Sequence, residues 1–203
     1  MYRWQQLHLI AHRKVVGIVR ATSADEAGTM ARACLATGLD VVEISLTTPD
    51  ALDAIRTIAH EYPQALIGAG TVLDASSARA ATLAGARFVV SPSLHREVIE
   101  TAHRHGASAI PGVATPTEAV AALSAGADAI KLFPASQWSP KSFRDMRAAL
   151  PQVPFVPTGG VTPATAPEWI AAGAIAVGMG ASLTAGTPRE AATRVRELLA
   201  SLG

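Results

Sequence analysis

Cysteine and aromatic residues are scarce in this sequence. Cys34 is the only cysteine among 203 residues, so the chain cannot form an intrachain disulfide. It falls in a predicted helix beside apolar positions, which indicates a small buried core residue and not a nucleophile. Phe, Trp and Tyr together make up only 4% of the residues, which argues against an aromatic-rich binding surface. The abundant Ala, Val, Ile and Leu suit the close packing of strands against helices.

Charge of one sign and long apolar runs are also missing. The 17 basic and 16 acidic residues leave a formal charge of +1, and Lys and Arg form no tract. This balance does not indicate a nucleic acid or an anionic membrane as a partner. No apolar run reaches transmembrane length and the N-terminus has no apolar leader, so we expect a cytoplasmic protein.

The sequence does contain one pattern repeated eight times, a short aliphatic run followed by a turn and an Ala-rich helical segment. Aliphatic residues at both parities are typical of parallel strands that are covered on both faces. Thr48-Pro49 and Thr162-Pro163 are predicted to start helices, with Thr as N-cap and Pro at the first helical position. The predicted strands are 15–20, 40–46, 66–71, 88–91, 107–112, 129–133, 154–158 and 175–179.

Eight strand–helix units favour either a closed barrel or a doubly wound sheet. A doubly wound sheet would typically carry G-x-G-x-x-G after its first strand, whereas this chain has Gly17-Ile-Val-Arg20-Ala-Thr there. We therefore predict an α/β fold, a (β/α)8 TIM barrel with a short N-terminal helix, in a single domain spanning 1–203. Segment 1–13 is expected to form that helix and to cap the barrel floor.

One lysine and one glutamate are predicted to enter the barrel interior. Alternation of side chains along a barrel strand points Lys131 of strand 129–133 and Glu43 of strand 40–46 inward. A buried structural ion pair is one interpretation, but burying two charges is costly and often adds no stability. Catalysis is favoured, because a desolvated lysine amine attacks carbonyls and a neighbouring carboxylate transfers protons.

Further candidates lie at the carboxyl ends of the predicted strands, where barrel active sites are found. Arg20 is either an exposed surface arginine or a fork for a substrate carboxylate or phosphate, and the sequence leaves both open. The glycine-containing segments 157–161 and 178–182 follow the last two strands, where backbone amides often bind phosphate. Thr71 would bind a carboxylate or cap the next helix. The six histidines are not spaced as metal ligands, so no metal site is predicted.

These segments together resemble the 2-keto-3-deoxy-6-phosphogluconate/4-hydroxy-2-oxoglutarate (KDPG/KHG) aldolase family over almost the whole chain. The Lys-x-Phe-Pro segment followed by Thr-Gly-Gly is the most specific mark. The segments that carry the resemblance are Val42-Glu-Ile-Ser-Leu46, Ile67-Gly-Ala-Gly-Thr-Val72, Val90-Ser-Pro-Ser93, Ile110-Pro-Gly-Val-Ala-Thr-Pro-Thr-Glu118, Ile130-Lys-Leu-Phe-Pro134 and Pro157-Thr-Gly-Gly-Val161.

The resemblance implies a homotrimeric class I aldolase without a cofactor, acting on a phosphorylated 2-keto acid and pyruvate. It assigns the Schiff base to Lys131 and the acid/base role to Glu43. It also implies two groups of contacts. Those around the pyruvyl group are Thr71, Pro92 and Phe133, and those near the phosphate are Thr158, Gly159, Gly160, Gly180 and Ser182.

One position departs from the family pattern. Many members carry Arg where this chain has Thr47, so the resemblance makes Arg20 the natural candidate for holding the substrate carboxylate. The leading expectation is cleavage of 2-keto-3-deoxy-6-phosphogluconate to pyruvate and glyceraldehyde 3-phosphate. Two alternatives are cleavage of the C4-epimeric galactonate and a non-catalytic phosphosugar-binding or assembly barrel. The retained Lys131 and Glu43 argue against the last of these.

Overall fold

The computed structural model describes residues 1–202, in which parallel strands alternate with helices along the chain. The strands of this range are β1 (Val15–Val19), β2 (Val41–Ser45), β3 (Leu66–Gly70), β4 (Phe88–Val90), β5 (Ser108–Ile110), β6 (Gly112–Val113), β7 (Ile130–Leu132), β8 (Phe155–Pro157) and β9 (Val177–Met179). Its α-helices are α1 (Arg3–Arg13), α2 (Ala24–Leu35), α3 (Ala51–Glu61), α4 (Ala75–Leu83), α5 (Arg96–Arg104), α6 (Pro116–Ser124), α7 (Pro140–Ala149), α8 (Ala166–Ala171), α9 (Ala181–Thr184) and α10 (Pro188–Leu202).

The strands form two parallel sheets around a common interior. One sheet has the order β5-β4-β3-β2-β1-β9 and the other the order β6-β7-β8. An isolated parallel bridge between Thr158 and Gly178 joins the end of β8 to β9. The predicted strand 107–112 is split into β5 and β6 at Pro111, which has no N–H to donate to a ladder. The α/β class with parallel strands is confirmed.

Two predicted helix starts are wrong. Helix α3 begins at Ala51 and not at Pro49, because the Thr48 hydroxyl accepts instead from the Ala21 amide at 3.1 Å and does not cap the helix. Helix α8 likewise begins only at Ala166, after Thr162 and Thr165 have bonded to each other in a preceding turn. The predicted strands other than 107–112 form within their predicted ranges and are one or two residues shorter.

The apolar core has an outer layer between strands and helices and an inner layer enclosed by the strands. Ile130 and Leu132 lie in the outer layer, and Ala129 lies in the inner one. This is the alternation that points Lys131 inward. Cys34 is fully buried in the outer layer, as predicted, and burial raises the pKa of its thiol to about 11.

Helix α1 closes one end of the interior. Ile10 is fully buried within the inner layer beside residues of β1, β2 and β3. The buried Gln6 side chain donates to the Gly106 carbonyl at 3.0 Å and accepts from the Ser108 hydroxyl at 2.7 Å. Arg3 adds an ion pair to Asp128 at 2.6 Å. The predicted helix over 1–13 is therefore present and covers the floor. Within residues 1–202, no helix is long and apolar enough to cross a membrane.

Candidate active site

Lys131 and Glu43 line one small internal cavity. Lys131 lies on β7 and is 7% exposed, and Glu43 lies on β2 and is 3% exposed. Both line an internal cavity with apolar side chains of β1, β4, β5 and β8. The ion pairs found among residues 1–202 join other side chains. The two groups therefore share the cavity without a salt bridge, which disfavours a purely structural ion pair.

The surroundings of Glu43 hold its proton more tightly than water would. Burial raises the pKa of the Glu43 carboxyl, and the positive charges of Lys131 and Arg20 offset only part of the rise. Gly70 on the neighbouring strand leaves the space that the Glu43 carboxylate occupies. A carboxyl group of raised pKa is suited to give and take a proton near neutral pH.

The lysine amine lies beside an aromatic ring. Nζ of Lys131 is 4.7 Å from the centroid of the Phe133 ring. The backbone of Lys131 is held by a bond from its amide to the Pro111 carbonyl at 2.9 Å. Phe133 thus borders the amine, as the expected contact with a pyruvyl group requires.

The carboxyl ends of the strands form an edge that we call the rim. A second, open cleft lies at the rim and adjoins the cavity. Thr158 and Gly178 line both spaces, so the two adjoin. Most of the predicted substrate and phosphate residues are brought together here. Those lining the cleft are Arg20, Phe133, Thr158, Gly159, Gly160, Gly180 and Ser182.

The cleft is shaped by glycine backbone. Gly159 and Gly160 have φ angles of +85° and +93°, in the left-handed region that glycine favours. A Cβ at Gly160 would lie 2.6 Å from the Cβ of Ser136, so the approach of the two loops also requires glycine. The Ser182 hydroxyl donates to the Val161 carbonyl at 2.8 Å and is thus engaged within the protein. What the cleft offers an anion is mainly backbone amide groups and Arg20.

Two predicted residues lie at the rim without lining either space. Thr71 follows β3 with a φ of +59°, and its hydroxyl lies 3.0 Å from that of Ser45. Pro92 follows β4, and its backbone carbonyl packs against Gly112. The structure thus groups Thr71 and Pro92 with the same ends of the strands but not with the walls of the cavity and cleft.

Arg20 and Thr47, at the ends of β1 and β2, are directly bonded. Nε of Arg20 donates to the Thr47 hydroxyl at 3.1 Å. The guanidinium is therefore held over the rim by one nitrogen, and the interpretation of Arg20 as a mere surface arginine is disfavoured. Ser45 is completely buried next to Thr47, and the sequence-based prediction gave it no role in the site. Its inward parity was the one signal that could have found it.

None of the six histidines lines the cavity or the cleft. His103 bonds to Asp128 at 2.8 Å near the floor, and His95 bonds to the exposed Ser93 at 2.8 Å. Among residues 1–202, no group of three or more His, Cys, Asp or Glu side chains is arranged to hold a metal ion.

Comparison with known proteins places this geometry among aldolases. Residues 8–196 match the family described as KDPG and KHG aldolase. The 2-dehydro-3-deoxy-6-phosphogalactonate aldolase of Escherichia coli (strain K12) is 40% identical over 171 residues, 83% of this chain and 83% of the relative. The 2-dehydro-3-deoxy-phosphogluconate aldolase of Zymomonas mobilis is 40% identical over 146 residues, 71% of this chain and 70% of the relative. The crystal structure of a Legionella pneumophila KDPG aldolase, with pyruvate captured as a covalent carbinolamine, aligns with a TM-score of 0.83 at 30% identity over 98% of both chains.

Proposed function

Because this chain belongs to the KDPG and KHG aldolase family, we propose that it cleaves 2-keto-3-deoxy-6-phosphogluconate to pyruvate and glyceraldehyde 3-phosphate through a Schiff base on Lys131. The chain is a class I aldolase, and thus a lyase, by family. The observation that carries the proposal is the shared cavity, in which one buried lysine and one buried glutamate meet beside a glycine-lined cleft.

The first half of the reaction forms the covalent intermediate. The neutral amine of Lys131 attacks the C2 carbonyl of the keto acid and gives a carbinolamine. Glu43 in its acid form donates a proton to the C2 oxygen, water leaves, and a protonated imine remains. The raised pKa of the Glu43 carboxyl favours this acid form before the step.

The second half breaks the carbon–carbon bond. The Glu43 carboxylate accepts the proton of the C4 hydroxyl, the C3–C4 electron pair moves into the imine, and the aldehyde departs from an enamine on Lys131. Glu43 then returns the proton to C3, and water hydrolyses the imine to release pyruvate. One carboxyl group therefore alternates between acid and base, and no proton has to cross the apolar wall of the cavity.

Substrate orientation follows from the two adjoining spaces. With C2 at Lys131, the carbon chain extends past Thr158 into the cleft, where the amides at Gly159, Gly160 and Gly180 face the C6 phosphate. Thr158 is then the hydroxyl nearest the middle of the chain. Arg20 supplies the charge that Thr47 lacks and holds an anionic end of the substrate.

The decisive experiment measures pyruvate release from the gluconate and galactonate epimers. Lys131→Met is expected to abolish release, whereas Lys141→Met, at an exposed position on α7, serves as the matched control and retains it. Borohydride with pyruvate should label Lys131 as well. Release of pyruvate from neither epimer, or a mass-spectrometric adduct on Lys14 or Lys141, would overturn the proposal.

The galactonate epimer is the second candidate substrate. It is favoured by the Escherichia coli relative named for it, which shares 40% identity and covers 83% of this chain. The two substrates differ only in configuration at C4, so they present the same keto acid and the same phosphate to the site. The ratio of kcat/KM for the two epimers separates these candidates.

We extend the proposal to the assembly. The Thr158–Gly178 bridge and the short gap at Pro111 support closure of the strands into a (β/α)8 barrel, with β5 and β6 serving as one position. The homotrimer and the cytoplasmic location implied above stay predictions. Sedimentation of the purified chain tests the first, and fractionation of cells tests the second.

A further inference from the structure

We infer, on the basis of the proposed function, that Ser45 and Thr47 are positioning residues that aim the hydroxyl hydrogen of Thr71 at the carboxylate of the 2-keto acid. Both residues lie outside the set that touches substrate in the proposed reaction. They act through a chain of hydrogen bonds that begins at Arg20 and ends at Thr71.

This chain crosses three neighbouring strands. From Arg20 after β1 it runs to Thr47 after β2, and Oγ1 of Thr47 lies 2.8 Å from Oγ of Ser45. Ser45 in turn reaches Thr71 after β3. Ser45 is the one buried member, and the half-buried Thr71 is the last, so the chain runs inward along the rim from the exposed cation.

The chain has a preferred direction. A guanidinium only donates hydrogen bonds, and a hydroxyl carries one hydrogen and two acceptor positions. The donation from Arg20 polarises the Thr47 hydroxyl and strengthens it as a donor to Ser45. The Thr47 amide, 3.4 Å from Oγ of Ser45, also points toward that oxygen. With its acceptor positions filled, Ser45 has its hydrogen free to give to Thr71.

The direction decides what Thr71 presents to a ligand. When Ser45 donates to Thr71, the Thr71 hydrogen is left for an anion. In the reverse direction, Thr71 would give its hydrogen to Ser45 and present lone pairs to the anion, which is repulsive. A carboxylate accepts hydrogen bonds only, so the direction set by Arg20 is the one that binds a keto acid.

The backbone conformation of Thr71 explains why its side chain needs the hydrogen bond to Ser45. Its φ of +59° is rare for a β-branched residue, so the local backbone does not by itself favour the observed side-chain position. The bond to Ser45 fixes the oxygen in place before the ligand arrives. Removal of Ser45 or Thr47 should therefore weaken ligand binding without touching the chemistry at Lys131.

The test uses pyruvate as the probe and borohydride to trap its imine on Lys131. In Ser45→Ala and in Thr47→Val, the pyruvate concentration for half-maximal trapping should rise about 3- to 10-fold, the worth of one neutral hydrogen bond. Maximal trapping and the kcat for cleavage should stay within about 2-fold. Ser45→Thr and Thr47→Ser, which keep the hydroxyls, should restore the wild-type value. The double variant should be no worse than either single one, because both break the same chain.

Ser108→Ala is the matched control. Ser108 is also a fully buried strand serine with a hydrogen-bonded hydroxyl, but it lies at the floor against Gln6. It should lower the melting temperature and leave pyruvate trapping unchanged. The inference is overturned if Ser45→Ala traps pyruvate like the wild type, if Ser108→Ala shows the same shift, or if the two single effects multiply. Failure of the proposed substrate is seen separately, as absence of cleavage of both epimers by a wild-type enzyme that still traps pyruvate.

Discussion

The carboxylate of Glu43 occupies the space that a side chain at Gly70 would fill: a Cβ at Gly70 would lie 1.7 Å from Oε1 of Glu43. The two residues belong to adjacent strands, β2 and β3, whose register pairs Glu43 with Gly68 and Ser45 with Gly70. Glycine at position 70 thus leaves room for the Glu43 carboxylate beside the cavity.

Gly70→Ala should displace the Glu43 carboxylate and lower kcat for cleavage by about 10²-fold, the cost expected for a misplacement of roughly 1 Å at a reacting group. Lys131 keeps its place, so trapping of pyruvate by borohydride should persist. The two measurements together separate a displaced carboxylate from a misfolded protein. Wild-type kcat in Gly70→Ala would show that the carboxylate does not need this position.

Glu43→Gln should become more stable relative to the wild type as pH rises, while it loses activity by ~10²–10⁴-fold. An unfolded Glu ionises near pH ~4.3, and burial raises the pKa of folded Glu43 above its usual value. Between these two pKa values the unfolded chain loses its proton first, so the wild type loses stability as pH increases. Gln carries no charge and avoids this loss.

Thermal unfolding of both proteins at about pH 4 and about pH 8, on either side of the ordinary pKa of a glutamate side chain, measures the effect. The melting temperature of the variant should exceed that of the wild type by more at the higher pH. Glu100→Gln, at an exposed position on α5, is the control and should show no such trend. An equal difference at both values would mean that Glu43 is not destabilised by ionisation.

Arg20→Ala should lower kcat/KM for the phosphorylated keto acid by about one to two decades. A charge-assisted contact to an anion is worth roughly 1.5–3 kcal/mol, and each decade corresponds to about 1.4 kcal/mol. Arg20→Lys should recover only part, since lysine lacks the planar fork. The exposed Arg79→Ala on α4 is the matched control. Unchanged kinetics in Arg20→Ala would move the anion contact to another residue.

Chelators should leave cleavage unaffected, because in the proposed reaction the protonated imine of Lys131 accepts the C3–C4 electron pair and this role needs no metal. Activity measured before and after dialysis against EDTA checks this. A loss that a divalent ion reverses would indicate a metal-dependent aldol reaction in place of the Schiff base.

Periodic features of the sequence predicted much of this molecule. Side chains alternate between the two faces of a strand, and this alternation predicted that Lys131 and Glu43 point into the interior. An aliphatic run at both parities predicted each strand. The start of α3 was not predictable from Thr48-Pro49, because the Thr48 hydroxyl bonds to Ala21, a residue distant in sequence. The same holds for the Ser45–Thr71 contact, which joins residues 26 positions apart.

Helix α1 makes the interior a blind pocket, which agrees with the order of product release in the proposed reaction. Because Ile10 and Gln6 fill the floor, substrate and products pass through the cleft at the rim. In the proposed reaction, the three carbons bound to Lys131 lie deepest, and the phosphorylated fragment lies between them and solvent. The aldehyde is freed while the three-carbon fragment is still bonded to Lys131, so it leaves first and pyruvate last. Pyruvate should then compete with the substrate, whereas glyceraldehyde 3-phosphate should give noncompetitive product inhibition, so accumulated pyruvate occupies the same closed space that the substrate needs.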